Sequence, residues 1–213
     1  MNIILLGAPG SGKGTQASML SNKLGLYYFQ TGKLSRDLAK KDKRLREIIN
    51  SGKLIPEQEM TMYVIDNLSK NRSKMNNILF EGFPRFISQY KALAEFLRSK
   101  GDDIDAVISL DISEKEAVRR ISSRRICEKC GEVYNLITNP PSKGGCKCGG
   151  KLIQRKDDNP DSVKVRFRYY KEDTKKLIDY LEKQSNVIKV DGERSIKVIY
   201  EDILRKLEKK GII

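Results

Sequence analysis

Histidine is absent from the 213 residues. Any general base, and any nitrogen ligand to a metal, must come from another residue type. No apolar run approaches the ~20 residues that span a bilayer, so no membrane partner is expected. No basic leader precedes the first apolar run, so no signal peptide is expected and the expected location is cytoplasmic. There is no internal repeat and no low-complexity linker. Cysteine is confined to one short stretch, between Cys127 and Cys148.

What is present describes a charged chain with room for one sizeable core and an inserted subdomain. Hydrophobic residues make up 38% and charged residues 33%. The net charge is +14, from 42 Lys and Arg against 28 Asp and Glu. That excess suits either nucleic acid or small polyphosphates. Many lysines, among them Lys40, Lys41, Lys43, Lys70, Lys175 and Lys176, read as a solvated surface.

Apolar patterning alternates strand and helix. Strands are expected at 2–6, 27–30, 77–81, 106–110 and 187–190. Helices are expected near 13–24, 33–50, 57–69, 87–99, 114–123, after Pro160, and around Ile196 to Leu207. The fold class is therefore α/β, a doubly wound, mostly parallel five-stranded sheet, whose ligands bind beyond the carboxyl ends of the strands. Residues 126–153 break the rhythm and read as an inserted module. After Pro160 one face carries Val163, Phe167, Tyr170, Leu177 and Leu181.

The stretch GAPGSGKGTQ, Gly7 to Gln16, follows the first apolar run. Glycines let backbone amides close around phosphate oxygens, and the helix that follows aims its free N–H groups at the same anion. Gly10, Ser11, Gly12, Lys13, Gly14 and Thr15 are the phosphate-binding candidates, with Lys13 adding a full charge. The usual phosphate-loop pattern places a hydroxyl directly after the lysine. Here Gly14 stands there and Thr15 comes one residue late.

That departure resembles the phosphate loop of adenylate kinases. Further motifs follow in the family's order: TGKLSR (31–36), SGKLIP (51–56), EGFPRFISQ (81–89), RRISSRR (119–125) and QRKDDN (154–159). The resemblance covers essentially the whole chain, in the long form whose lid can carry a cysteine zinc site. It implies core at 1–30, an AMP-binding insertion at 31–60, core at 61–124, a zinc-ribbon-like lid at 125–161 and core at 162–213. It implies phosphoryl transfer from MgATP to AMP, giving two ADP, by a monomer.

By the same resemblance Arg36 and Arg85 hold the AMP phosphate, and Thr31, Lys53, Ile55, Gly82 and Gln89 surround its base. Arg120, Val133 and Tyr134 lie on the ATP side. Arg124, Arg155 and Arg166 join Lys13 and Arg85 on the transferring group, and Arg155 and Arg166 also reach AMP. Arginine's planar fork suits phosphate oxygens. Arg119 and Arg125 are left as surface residues. Glu81 replaces the family's usual aspartate, whose carboxylate orders the water shell of Mg²⁺; Asp111 can share that task. Lys33 also replaces an aspartate, reversing a charge beside the AMP site.

Cys127, Cys130, Cys146 and Cys148 suit a structural, tetrahedral Zn²⁺ site better than disulfides in a cytoplasmic chain. The first pair has the usual two-residue gap. The second is separated only by Lys147, which puts Cys148 in question. Two other readings compete: a kinase for a different nucleoside monophosphate, and a zinc-ribbon nucleic-acid-binding protein. Between Cys127 and Cys148 there is one aromatic residue, Tyr134, and no arginine, which argues against nucleic acid.

Overall fold

The first apolar run forms strand β1 (Asn2–Gly7), buried along its whole length. Its side chains alternate between two cores, as the period of a strand dictates. Ile3 and Leu5 pack with Ala17, Leu20, Ile203 and Leu207. Ile4 and Leu6 pack with Phe80, Leu93, Leu97 and Leu177. Each such fully buried aliphatic side chain contributes roughly 1.5–3 kcal/mol. The computed structural model describes residues 1–71, 75–142, 145–184 and 187–213. Residues 143–144 of the expected lid, and 72–74 and 185–186 of the expected core, lie outside the described residues.

With β1 the central sheet contains β2 (Tyr27–Gln30), β3 (Ile78–Glu81), β4 (Ala106–Asp111) and a late strand, β8 (Val187–Asp191). Its order is β2-β3-β1-β4-β8, and every pairing is parallel. Helices α1 (Lys13–Leu24) and α9 (Ile196–Lys209) cover one face. Helices α4 (Glu57–Asn71), α5 (Ile87–Ser99) and α8 (Lys175–Glu182) cover the other. Among the described residues no helix is long and apolar enough to cross a membrane.

Two expected helices are interrupted. The single helix expected at 33–50 is α2 (Thr31–Lys41) followed by α3 (Lys43–Asn50). Asp42 takes an extended conformation between them, and its side chain accepts from the Leu45 N–H, capping α3. A capping carboxylate here outweighs one more helical turn. The helix after Pro160 is α7 (Pro160–Tyr169), a π-helical turn at Tyr170–Thr174, then α8. The face read as continuous serves two cores. Val163 and Phe167 pack on Ala117 and Ile121 of α6 (Glu114–Ser122), whereas Leu177 and Leu181 enter the main sheet core. Tyr170 touches both, and the π turn supplies the change of phase.

The inserted module is a second, three-stranded antiparallel sheet of β5 (Arg124–Cys127), β6 (Val133–Asn135) and β7 (Leu152–Ile153). Its own core is small: Cys127, Tyr134 and Cys146, with Leu152 against them.

Candidate active site

Loops leaving the carboxyl ends of β1, β2, β3 and β8 open onto one cleft of about 960 Å³. The phosphate loop forms its floor. At Gly10 the backbone has φ +81, and a Cβ would stand 2.7 Å from the Ala117 carbonyl oxygen, so no other residue fits. Gly14 is different. A Cβ there would meet only the Tyr28 hydroxyl, at an ordinary 3.6 Å. Lys13 Nζ donates to the Gly7 and Ala8 carbonyls, both at 2.8 Å. Burial pushes its pKa down to about 7; nearby Glu81 works against this, while Arg85, Arg166 and Arg124 add to it.

The arginines converge above the loop. Arg36, Arg85, Arg124, Arg155 and Arg166 all line the cleft. Burial, then Arg166, holds the Arg85 guanidinium below its ordinary pKa. Burial, then Arg124 and Arg36, brings Arg155 to about 10. Burial and Arg124 also lower Arg166. Such mutual destabilisation identifies a place built for negative charge. Part of that charge is the protein's own. Asp158, whose side chain is 0% exposed, accepts from Arg124 Nε at 2.8 Å and from Arg166 Nη1 at 3.1 Å. Burial opposes the Arg124 charge, but the Asp158 pair prevails and raises its pKa. Asp158 follows a 3₁₀ turn's start in QRKDDN and carried no role in the sequence reading, because adjacent acids do not reveal which one is buried.

On one side of the cluster lie Thr31, Lys53, Ile55, Gly82 and Gln89, all lining the cleft. Gln89 Oε1 accepts from the Arg85 N–H at 2.9 Å, and its Nε2 donates to the Glu57 carbonyl at 3.2 Å. Arg85 Nε donates to the Gly82 carbonyl at 2.9 Å. The motif therefore braces its own arginine. Lys33, by contrast, points to solvent: its side chain is 75% exposed and pairs with Asp37 one turn on. The charge reversal does not reach the cleft.

Glu81 lines the cleft and accepts from the Tyr28 hydroxyl at 3.5 Å. Asp111 is not among the lining residues. Ser109, two residues back on the same side of β4, donates to its carboxylate at 3.0 Å. Asp111 ends β4, the strand on the other side of β1 from the one that Glu81 ends.

On the other side, Gly10, Ser11, Gly12, Gly14, Thr15, Arg120, Val133 and Tyr134 line the cleft. Arg120 is 8% exposed. Its nitrogens donate to Glu116 and to the carbonyls of Gly192 and Glu193. Tyr134 donates through its hydroxyl to Cys146 Sγ at 3.4 Å. Arg119, at the rim of the cleft, is exposed and paired with Glu116 at 2.7 Å, the surface ion pair expected of it. Gln16 and the segment Glu193 to Ile196 line it as well. The segment was missed because nothing in DGERSI signals depth, and Gln16, the last residue of GAPGSGKGTQ, because a glutamine after the loop carries no phosphate-binding signal.

Gln16 Oε1, Thr31 Oγ1 and Arg155 Nε are buried without a hydrogen-bond partner among the described residues. An orphaned buried polar atom costs about 1–3 kcal/mol, so each is poised for a ligand.

The four cysteine sulfurs of Cys127, Cys130, Cys146 and Cys148 lie within 4.8 Å of one another. Cys148 Sγ is 3.4 Å from Cys127 Sγ and 3.5 Å from Cys146 Sγ. A tetrahedral site with metal–sulfur bonds of ~2.3 Å requires sulfurs roughly 3.8 Å apart, so the cluster fits Zn²⁺. Beside the cluster a Cβ on Gly150 would stand 2.5 Å from Cys127 Sγ, so only glycine fits there.

Comparison with known proteins agrees along the whole chain. A family model described as adenylate kinase matches residues 5–186. The adenylate kinase of Thermosipho africanus is 42% identical over 96% of this chain and 98% of its own. That of Archaeoglobus fulgidus is 41% identical over 98% of this chain and 99% of its own. That of Oceanobacillus iheyensis is 38% identical over 99% of this chain and 100% of its own. A match of this extent has one reading: the chain belongs to the adenylate kinase family.

Proposed function

We infer that the chain transfers the terminal phosphoryl group of MgATP reversibly to AMP, giving two ADP, and that the arginine cluster with Lys13 is its machinery. The observation that carries this is the sharing of one cluster by two lobes of the cleft. The phosphate loop, Arg120, Val133 and Tyr134 would take ATP. Thr31, Arg36, Lys53, Ile55, Gly82, Arg85 and Gln89 would take AMP, with Arg155 and Arg166 reaching across.

In the reaction an oxygen of the AMP phosphate attacks the γ-phosphorus, and the bond from that phosphorus to the β–γ bridging oxygen breaks. The attacking oxygen is already ionised, so no general base is needed and the absence of histidine is no obstacle. Catalysis reduces to positioning and charge stabilisation. Lys13, Arg85, Arg124, Arg155 and Arg166 gather the phosphates. Mg²⁺ bound with ATP would add positive charge at its phosphates, and Glu81 and Asp111 would hold its waters. Zn²⁺ on Cys127, Cys130, Cys146 and Cys148 would knit a lid too poor in apolar residues to fold alone. Closure of that lid excludes water that would otherwise take the phosphoryl group.

The partition we propose is core at 1–30, 61–124 and 162–213, AMP insertion at 31–60 and lid at 125–161. Every group required lies on one chain, so a monomer suffices. Four neighbouring thiols kept for a metal suit the reducing cytoplasm. Arg85→Ala tests the assignment. Turnover should fall about 10²–10³-fold, the loss expected for one preorganised charge partner, with the melting temperature little changed. Near-normal turnover would remove Arg85 from the machinery.

A further inference from the structure

The segment joining β8 to α9, residues 191–196, walls the phosphate-loop side of the cleft through Glu193, Arg194, Ser195 and Ile196. It is held at several points. Gly192 and Glu193 offer their carbonyls to Arg120 at 2.7 and 3.1 Å. The Glu193 carboxylate accepts from the Ser113 N–H at 2.8 Å, and the Ile196 carbonyl accepts from Gln16 Nε2 at 2.9 Å.

Arg194 supplies the last anchor. Its Nη2 donates to Asp202 Oδ2 at 2.7 Å and its Nε to the Asp191 carbonyl at 3.2 Å. Asp202 sits on α9, does not line the cleft, and is only 6% exposed. Lys206 lies 3.1 Å away, and Arg205 also pairs with it. Burial disfavours the ionised carboxyl, but the hydrogen bonds from Arg194, Lys206 and Arg205 prevail and hold its pKa at about 2. Arg205 and Lys206 come from α9 itself; Arg194 comes from the cleft wall. One carboxylate therefore ties the wall to the helix behind it.

We propose that Asp202 is a positioning residue for the ATP half of the cleft, acting through Arg194 to fix the 191–196 wall against which the ATP base lies. This rests on the proposed assignment of Arg120 to ATP, since the wall is bonded to Arg120 through the Gly192 and Glu193 carbonyls. Removing the carboxylate's charge leaves Arg194 held by Asp191 alone, through its carbonyl at 3.2 Å and its carboxylate at 3.4 Å; both groups belong to the wall's own segment, so its tie to α9 is loosened while the groups around Gln89 and Arg85 are untouched. The effect is selective between the two nucleotides, which a mere fold staple would not be.

Asp202→Asn keeps the shape and removes the charge. Isothermal titration is expected to show ATP weakened about tenfold, the loss of one charge-assisted hydrogen bond, with AMP unchanged. Lys206→Gln should leave ATP affinity intact, because the Arg194 pair survives it. Arg120→Met probes the wall independently and should also weaken ATP. If Arg120→Met weakens AMP instead, the assignment of the two halves fails. If Arg120→Met weakens ATP but Asp202→Asn does not, the role of Asp202 fails alone. Equal weakening of both nucleotides by Asp202→Asn would also overturn it. Should Asp202→Asn not fold, Arg194→Gln takes its place, since Asp202 then keeps Lys206 and Arg205; ATP-selective weakening supports the proposal and unchanged ATP binding refutes it.

Discussion

Asp158→Asn removes the negative charge on which the arginine cluster rests. The carboxylate is wholly buried and binds both Arg124 and Arg166, and Arg155 stands close enough for its pKa to feel both Arg124 and Asp158. Taking away one partner of a buried ion pair strands the other charge and costs about 3–5 kcal/mol. For a chain of this size each kcal/mol moves the melting temperature by roughly 2–4 °C, so the variant should melt roughly 6–20 °C below the parent. The same reasoning requires a rescue. A nucleotide's phosphates supply the missing negative charge, so saturating ADP should raise the melting temperature of Asp158→Asn more than that of the parent. In an Arg166→Met background the Asp158→Asn penalty should shrink, since one stranded cation is gone. Thermal denaturation with and without ADP measures all three. A variant melting within about 2 °C of the parent, or gaining no extra stability from ADP, would refute the charge argument.

Glu81→Gln should raise the Mg²⁺ concentration needed for half-maximal rate, and an unchanged titration would leave that role to Asp111. Lys13, brought by burial to about 7, is largely neutral in the free chain above that pH. Phosphate binding restores its charge, so titration calorimetry in buffers of differing ionisation heat near pH 8 should find proton uptake, absent in Lys13→Met. The cost of burying Lys13 is fully present below about 7 and fades as pH rises from there toward the ordinary lysine value of 10.5, while nucleotide affinity falls as pH rises through about 7. Metal analysis should find one zinc per chain, and Cys130→Ser should lower lid stability while measurable phosphoryl transfer persists at low temperature; a metal-free parent would contradict this.

Most of the architecture was legible because strand and helix periods differ. Ile3 to Leu6, Ile78 to Phe80 and Ala106 to Leu110 are buried strands, as their apolar runs indicated. The break at Asp42 was not legible, because a local cap competes with a continuing apolar period and only packing decides between them. The π turn at Tyr170 was hidden for a related reason: one apolar stripe serves two separate cores. At the site, residues carried by the motifs line the cleft, including Arg36, Arg85, Arg124, Arg155 and Arg166. Arg120 illustrates the limit: the motif marked the residue, but not that its guanidinium is tied to Glu116 and to the Gly192 and Glu193 carbonyls. Asp158 and Asp202 illustrate the converse, since burial, which gives each its importance, leaves no mark in a run of charged residues.

The most direct test is steady-state turnover of the purified chain with MgATP against AMP, CMP, UMP and GMP in a coupled assay of ADP formation. AMP should be preferred by at least about 10²-fold in kcat/KM, because a pocket that hydrogen-bonds one base leaves its polar groups unpaired with another. Preference for a different monophosphate, or no phosphoryl transfer to AMP, would contradict the assignment.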